Sequence, residues 1–497
     1  MRIFLRAGGL CLAIAILGSA RAQASDHGWL QVRSPHFRVI TDAGAKRGLE
    51  VATRCEQMRA AFSVLMAKAS ADDPAPLLIF ALNSQKEVDD LAQNRARKLR
   101  HAGIFFPGAD ESFILVDVSG DPWHTVFHEY AHELLHANTP ASVQTWFEEG
   151  FADYFSTLDV HSGRTEIGQV PIGELQFLRQ NGKLMRLADL LCVDQNSTIY
   201  NQNGPLQAAF YAQSWLLVHY LFDHQLIDRA QSFFSAISEG ISLDQSIFDA
   251  FGMNTGTLER ELLSYARGEE FRYFSLPRMQ AERTAAPSVT QVSEITASAL
   301  ILNVRRHAQF EPSKVAAEGY AKAFRSLLSA DHSNPDVLRG LGLALFETGD
   351  YQNSLLYLRQ AAQAEPESAL SLHAMAELLN AMDSAGTQAE HAGVSLTQEI
   401  EACAARDPHY ADIYRLRASA LARQGRLDEA ALFLRRAITL SPRMESYALD
   451  LADMELRKHD YAPALALLHQ LQNSRNPKVV EKAEYFLSAQ QTPLDGN

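Results

Sequence analysis

Cysteine is scarce: the chain has four in 497 residues, and Cys11 lies in the first apolar run. The other three, Cys55, Cys192 and Cys403, stand far apart. That spacing excludes a disulfide framework and a cysteine-based zinc site, and leaves room for one disulfide at most. Positive charge is also short. Lys and Arg number 45 against 59 Asp and Glu, for a formal net charge of −14. So acidic a chain lacks the basic surface that releases counterions from a phosphate backbone, which argues against a nucleic-acid partner. Long apolar runs are missing as well. Ala7 to Gly18 is the apolar stretch at the start, and it falls well short of the ~20 residues that a spanning helix needs. Wholesale disorder is excluded, because hydrophobic residues make up 47% and charged ones 21%, enough for packed cores.

The N-terminus has the parts of an export signal. Arg2 and Arg6 precede the apolar run, and Ala20-Arg21-Ala22 offers small residues for cleavage. A signal peptide over 1–22 is therefore expected, with an exported mature chain, periplasmic or secreted, and no stable membrane span after cleavage. Gly9-Leu10 before Cys11 does not make a lipoprotein site.

Three regions follow. Residues 23–120 have mixed α/β character: Trp29–Thr41 reads as short strands, Lys46–Met66 as a helix, Leu77–Leu82 as a buried strand, Glu87–Leu99 as a helix and Phe113–Val118 as a strand. Residues 121–276 are mainly helical, with helices over Trp123–Ala137, Ser142–Leu158 and Leu206–Phe222. A small hairpin is expected where Gly163 and Gly168 flank Arg164–Ile167. Residues 277–293, with Pro287 and many Ser, Thr and Ala, read as a linker. From 294 to 490 the pattern repeats. Gly349-Asp350-Tyr351, Gly425 and His459-Asp460-Tyr461 mark successive turns, with 76 residues between the first two and 34 between the last two. Small residues (Ser354, Ala361, Ala430, Ala437, Ala464) and Pro366 or Pro442 fall at matching offsets after them. The interval of 34 is one tetratricopeptide period, and 76 is two periods plus eight residues, placed around Ser384–Gly393. This resembles tetratricopeptide repeats over Asp336–Leu471, with a weak unit at 370–405 and a degenerate one at 294–330.

The chemistry concentrates in His128-Glu129-Tyr130-Ala131-His132. Residues four apart share a helix face, so both imidazoles can reach one ion. Glu129 is turned about 100° from His128, where it can serve as a general base and not as a ligand. Chance gives such a match in only roughly a few per cent of chains this long. A third ligand is needed. His136 lies about 6 Å along the axis from His132, too far to complete the His128 site.

Trp146-Phe147-Glu148-Glu149-Gly150-Phe151-Ala152-Asp153-Tyr154 supplies the better ligand. Together with His-Glu-x-x-His, it resembles the gluzincin clan of zinc peptidases, in which a Glu on the next helix stands before Gly-Phe-Ala and a Tyr. The resemblance implies an α+β zincin-like metallopeptidase domain over 23–276, followed by the all-α tetratricopeptide-repeat solenoid. It implies Zn2+ held by His128, His132 and Glu149, with Glu148 not a ligand, Glu129 as the base, and Asp153 holding a ligand His. Phe210-Tyr211-Ala212-Gln213-Ser214-Trp215 resembles the downstream helix carrying an oxyanion-stabilising Tyr, which implies that role for Tyr211; His219 and His224 are weaker candidates. With Trp29–Phe37, that segment also resembles an uncharacterised bacterial branch of the clan whose members often carry tetratricopeptide repeats. The aminopeptidase substrate motif Gly-x-Met-Glu-Asn is absent, and 16 residues separate His132 from Glu149, fewer than in the best-known members.

The expected activity is hydrolysis of peptide bonds in a protein or peptide substrate, with a protein partner bound through the repeats. Strand Phe113–Val118 is a candidate edge for extended substrate. Two rivals stay open. One is a non-catalytic tetratricopeptide scaffold with a remnant metal domain. The other keeps the zinc chemistry with a different substrate, such as a cell-wall peptide cross-link.

Overall fold

A computed structural model describes residues 28–491 except 93–102, 141–142, 162, 182–183, 195–196, 202–203, 278–285, 310–312, 387–394, 473 and 475. The expected signal peptide lies outside the described residues, as does the end of the helix expected to reach Leu99.

The N-terminal part is built on a six-stranded sheet. Its strands are β1 (Trp29–Arg33), β2 (Arg38–Thr41), β3 (Leu77–Leu82), β4 (Gly103–Phe106), β5 (Ser112–Asp117) and β9 (Ser288–Val292), in the order β4-β5-β3-β2-β1-β9. β2, β3 and β5 run parallel, while β4, β1 and β9 join antiparallel. A second, three-stranded sheet joins the expected hairpin, β6 (Asp159–His161) and β7 (Arg164–Ile167), to β8 (Phe274–Pro277). The large sheet is buried on both faces, and the two-residue period of β3 shows how. Leu77, Ile79 and Ala81 enter one core, and Leu78, Phe80 and Leu82 the other.

The first face is covered by α1 (Ala45–Leu65), α3 (Trp123–Asn138), α4 (Thr145–Ser156) and α8 (Pro205–Asp223). The other is covered by α2 (Gln85–Ala92) and by Ala297, Leu300 and Val304 of α12 (Glu294–His307). Helices α5 (Ile172–Asn181), α6 (Leu187–Leu191), α7 (Thr198–Asn201), α9 (Ala230–Ser238), α10 (Leu243–Phe251) and α11 (Thr255–Arg267) complete this part. Gly150 lets α4 and α8 cross closely: a Cβ there would run into the Ser214 carbonyl and Val218.

Residues 294–491 form helical hairpins. Their helices are α12 and α13 (Lys314–Ala330), α14 (Pro335–Thr348) and α15 (Tyr351–Ala364), α16 (Ala369–Ser384) and α17 (Leu396–Arg406). The chain continues with α18 (Ala411–Arg423) and α19 (Leu427–Leu440), α20 (Glu445–Arg457) and α21 (Tyr461–Leu471), and ends with α22 (Pro477–Gln491). From the second hairpin on, first helices begin at Pro335, Ala369, Ala411 and Glu445, steps of 34, 42 and 34 residues. The extra eight fall between α16 and α17, where 387–394 lie outside the described residues.

Two expectations are corrected. Phe113–Val118 is not an edge: β5 pairs with β3 on one side and β4 on the other, so β4 is the outer strand. Nor is 277–293 simply a linker: Ser288–Val292 pairs with Arg33–Trp29 of β1 and closes the sheet's far edge. Composition hid both. β4 is four residues long, and β9 is Ser-Val-Thr-Gln-Val, polar enough for an exposed edge.

The two parts are not beads on a string. The chain's own N-terminal part lies against the solenoid at α12 and at the start of α18. Asp110, between β4 and β5, is 3.6 Å from Arg306 and 3.0 Å from His307, and its carbonyl accepts from the Tyr410 hydroxyl. Glu111 accepts from Asn303 Nδ2 at 3.0 Å, and the Ala411 amide donates to Pro74 O at 2.7 Å. Cys55, Cys192 and Cys403 are all free thiols. Among the described residues, no helix is long and apolar enough to cross a membrane.

Candidate metal centre

Helix α3 runs from the end of β5 into the core and stops before Pro140, where Thr139 is extended (φ −131°, ψ 146°), as a residue before proline must be. Helix α4 runs back along α3, with Glu149 of its second turn beside His128 and His132 and Asp153 beside His128. That return brings Glu149 to the two imidazoles. His128 Nε2 and His132 Nε2 are 3.1 Å apart. Glu149 Oε2 is 3.5 Å from the first and 3.8 Å from the second. A tetrahedral zinc site with bonds near 2.0–2.1 Å separates its ligand atoms by roughly 3.3 Å, so the three side chains fit such an ion. The ligand atoms all lie within 4.8 Å of one another, and no other group of three or more metal-ligating side chains is found among the described residues.

What surrounds the triangle orients it. Asp153, fully buried one turn beyond Glu149, sits 2.9 Å from His128 Nδ1. With that nitrogen donating, Nε2 presents its lone pair. Tyr200 on α7 donates its hydroxyl to Glu149 Oε1 at 2.7 Å, leaving Oε2 for the imidazoles. Glu129 is 5% exposed and accepts from the Phe105 amide of β4. Side-chain exposure is 2% for His128 and 6% for Glu149 but 21% for His132, so the site opens to solvent on the His132 side.

The electrostatics follow from burial and close charges. Burial pushes the Glu129 carboxyl up to about 7, with Glu149 and Asp153 adding to the rise against His128 and the Phe105 amide. Burial also drives His132 down to about 4. For His128 burial acts downward, but bonds to Asp153 and Glu149 and the charges of Asp153 and Glu129 outweigh it. Glu149 lies below its ordinary value, since the His128 and Tyr200 bonds and both imidazoles overcome burial.

The sequence-derived candidates divide. His128, His132 and Glu149 come together, with Glu129 and Asp153 against them. Tyr211 is buried and stacks on Tyr200, ring centroids 6.2 Å apart and planes 24° apart; the hydroxyl that reaches Glu149 is that of Tyr200. Sequence reading missed Tyr200, which sits on a four-residue helix with no periodicity to mark it. His219 bonds Gly168 O and the Tyr265 hydroxyl. His224 stacks on Tyr220 at 4.0 Å. Glu148 turns away from the imidazoles to Arg443 of the solenoid, 2.6 Å away. His136 packs edge-on against Phe105.

Residues 123–244 match a family described as "Protein of unknown function (DUF1570)". Residues 321–369 and 398–445 match the tetratricopeptide repeat, so the C-terminal half carries tetratricopeptide repeats. Similar solved structures include a thermophilic tetratricopeptide protein of Thermus thermophilus, at 17% identity over 40% of this chain and 100% of that one (TM-score 0.34). MamA from Desulfovibrio magneticus matches at 18% over 40% and 99% (TM-score 0.28). YrrB, titled a tetratricopeptide protein with an unusual peptide-binding site, matches at 14% over 39% and 91% (TM-score 0.29). Comparison with the curated proteins gives no match.

Proposed function

We propose that the chain is a zinc-dependent peptidase of gluzincin type, with His128, His132 and Glu149 as metal ligands and Glu129 as general base. The observation that carries this is the convergence of two imidazoles and one carboxylate, contributed by two helices, within the spacing of a single zinc ion. Bound there, zinc would supply Lewis-acid polarisation of the scissile carbonyl and acidify a water. Glu129, buried beside the two imidazoles, is placed to accept a proton from that water and return it to the leaving amine. Asp153 fixes the His128 ring, and Tyr200 holds Glu149 to one-oxygen contact. Tyr211 is proposed as donor to the oxyanion. Strand β4 is the outer strand beside Glu129 and is the proposed edge for extended substrate backbone.

An exported location, periplasmic or secreted, belongs to the same proposal. Tetratricopeptide repeats are a protein-binding architecture, and a protein or peptide partner is proposed for them here.

The test is Glu129→Gln. The variant is expected to keep one zinc per chain by metal analysis, while cleavage of a peptide library falls at least about 10²-fold. Wild-type turnover in that variant would remove Glu129 as the base. A purified chain that takes up no zinc would remove the whole reading.

A further inference from the structure

Residue Arg443 belongs to the solenoid, in the turn 441–444 between α19 and α20. Its side chain leaves the repeats and enters between the end of α3 and the start of α4. Nη1 donates to Glu148 Oε1 at 2.6 Å, while Nε and Nη2 both donate to Thr139 Oγ1, at 3.1 and 2.9 Å. Thr139 Oγ1 in turn donates to Leu135 O at 2.6 Å, which ties the contact to the backbone of the last turn of α3. The guanidinium therefore grips both helices that carry the three proposed ligands. Glu148 immediately precedes Glu149, and Leu135 is three residues beyond His132. The contact is substantially out of water: Arg443 is 15% exposed and Glu148 9%. A planar fork with fixed donor directions suits this double grip, and a lysine ammonium does not reproduce it.

We propose that Arg443 is a positioning residue of the metal centre, supplied by the repeat array, which sets the spacing of α3 and α4 and so the geometry of His128, His132 and Glu149. This rests on the zinc reading above. It gives the solenoid a task in cis: the array holds the site together from outside, so the repeats and the metal centre work as one unit.

The test measures zinc affinity of the full-length chain by chelator competition for wild type, Arg443→Met, Arg443→Lys, Glu148→Gln and the Arg443→Met/Glu148→Gln double variant. Helical circular dichroism and the melting temperature of each metal-free chain are recorded beside it. The expected result is a zinc Kd raised about 10- to 100-fold in Arg443→Met with the helical signal unchanged, and part of the loss recovered in Arg443→Lys. Glu148→Gln is expected to weaken binding in the same sense. The double variant should be no weaker than the weaker single one, because both remove one shared contact. Wild-type affinity in Arg443→Met, or losses that multiply in the double variant, overturns the proposal while leaving the zinc site standing. Should Arg443→Met fail to fold, Thr139→Val removes the second grip alone, and wild-type affinity there overturns the proposal equally. A wild-type chain without zinc affinity overturns both readings.

Discussion

Neighbouring glutamates in α4 face different ways because a helix turns about 100° per residue. Glu149 meets the imidazoles, and Glu148 meets a guanidinium that arrives from 295 residues away. Identity alone does not assign them; the side of the helix does. The two tyrosines near the site are likewise told apart by position. The Tyr200 hydroxyl is spent on Glu149 Oε1, and Tyr211 stacks on its ring. Tyr200→Phe should therefore act on the ligand, raising the zinc Kd about 10- to 100-fold. Tyr211→Phe should leave zinc binding alone and lower kcat about 10²-fold with little change in KM. Chelator competition and steady-state kinetics on the two variants separate these roles. A zinc Kd unchanged in Tyr200→Phe, or a kcat unchanged in Tyr211→Phe, removes the corresponding assignment.

Elements show where short segments defeat periodicity. β4 and β9, four and five residues long, acquire their structure from the strands they pair with. The solenoid's turns show the reverse, a local rule visible in sequence. Gly349 and Gly425 end their helices with φ of 84° and 77°, where glycine carries no Cβ penalty. His459 stands at the equivalent turn with φ 61°. A side chain there costs roughly 1–2 kcal/mol. His459→Gly is expected to stabilise the chain by about 1 kcal/mol, less what the freer unfolded chain takes back. Thermal or urea unfolding measures it, and a lower midpoint would show that the His459 contact with Tyr461 outweighs the strain.

On the scale of the whole molecule, one side of the solenoid is already occupied from α12 to the α19–α20 turn. The Asp110–Glu111 turn binds Asn303 and His307 of α12, Pro74 binds Ala411 of α18, and Glu148 binds Arg443, all in cis. A protein partner must therefore use other surfaces of the array or displace this contact. The seam also carries a pH signature. Asp73 lies between Asp72, which is 3.3 Å from His409, and Pro74, which pairs with Ala411. Desolvation pushes its carboxyl up to about 8, against Arg59 and with help from Asp407 and Asp72. An acid raised this far above its unfolded value of about 3.9 binds an extra proton in the folded state. Its contribution to stability is whole below that unfolded value and is lost as pH rises to about 8. Asp73→Asn should flatten the fall of melting temperature between about pH 5 and 8, by about a few degrees. Equal slopes in both proteins would remove Asp73 as the source.

Much was legible in the residues themselves. His128, Glu129 and His132 stand out because two imidazoles that are to share one ion on a helix need a fixed spacing, and Glu149 stands out through the resemblance of Glu149-Gly150-Phe151-Ala152 to the third-ligand segment of gluzincins. The repeats declare themselves because each must place small residues and turns at the same offsets to stack on the next. The continuous apolar run of β3 marks a strand buried on both faces. These are local rules, carried by residues near one another in the chain. Tertiary structure alone decided which strand forms the outer edge, that Tyr200 and not Tyr211 bonds the Glu149 carboxylate, and that Arg443 reaches across to Glu148. Each depends on where distant segments meet. Part of the cover for the sheet's second face comes from α12, beyond the stretch read as a linker, because β3 and its neighbours have apolar side chains on both sides and both must be buried.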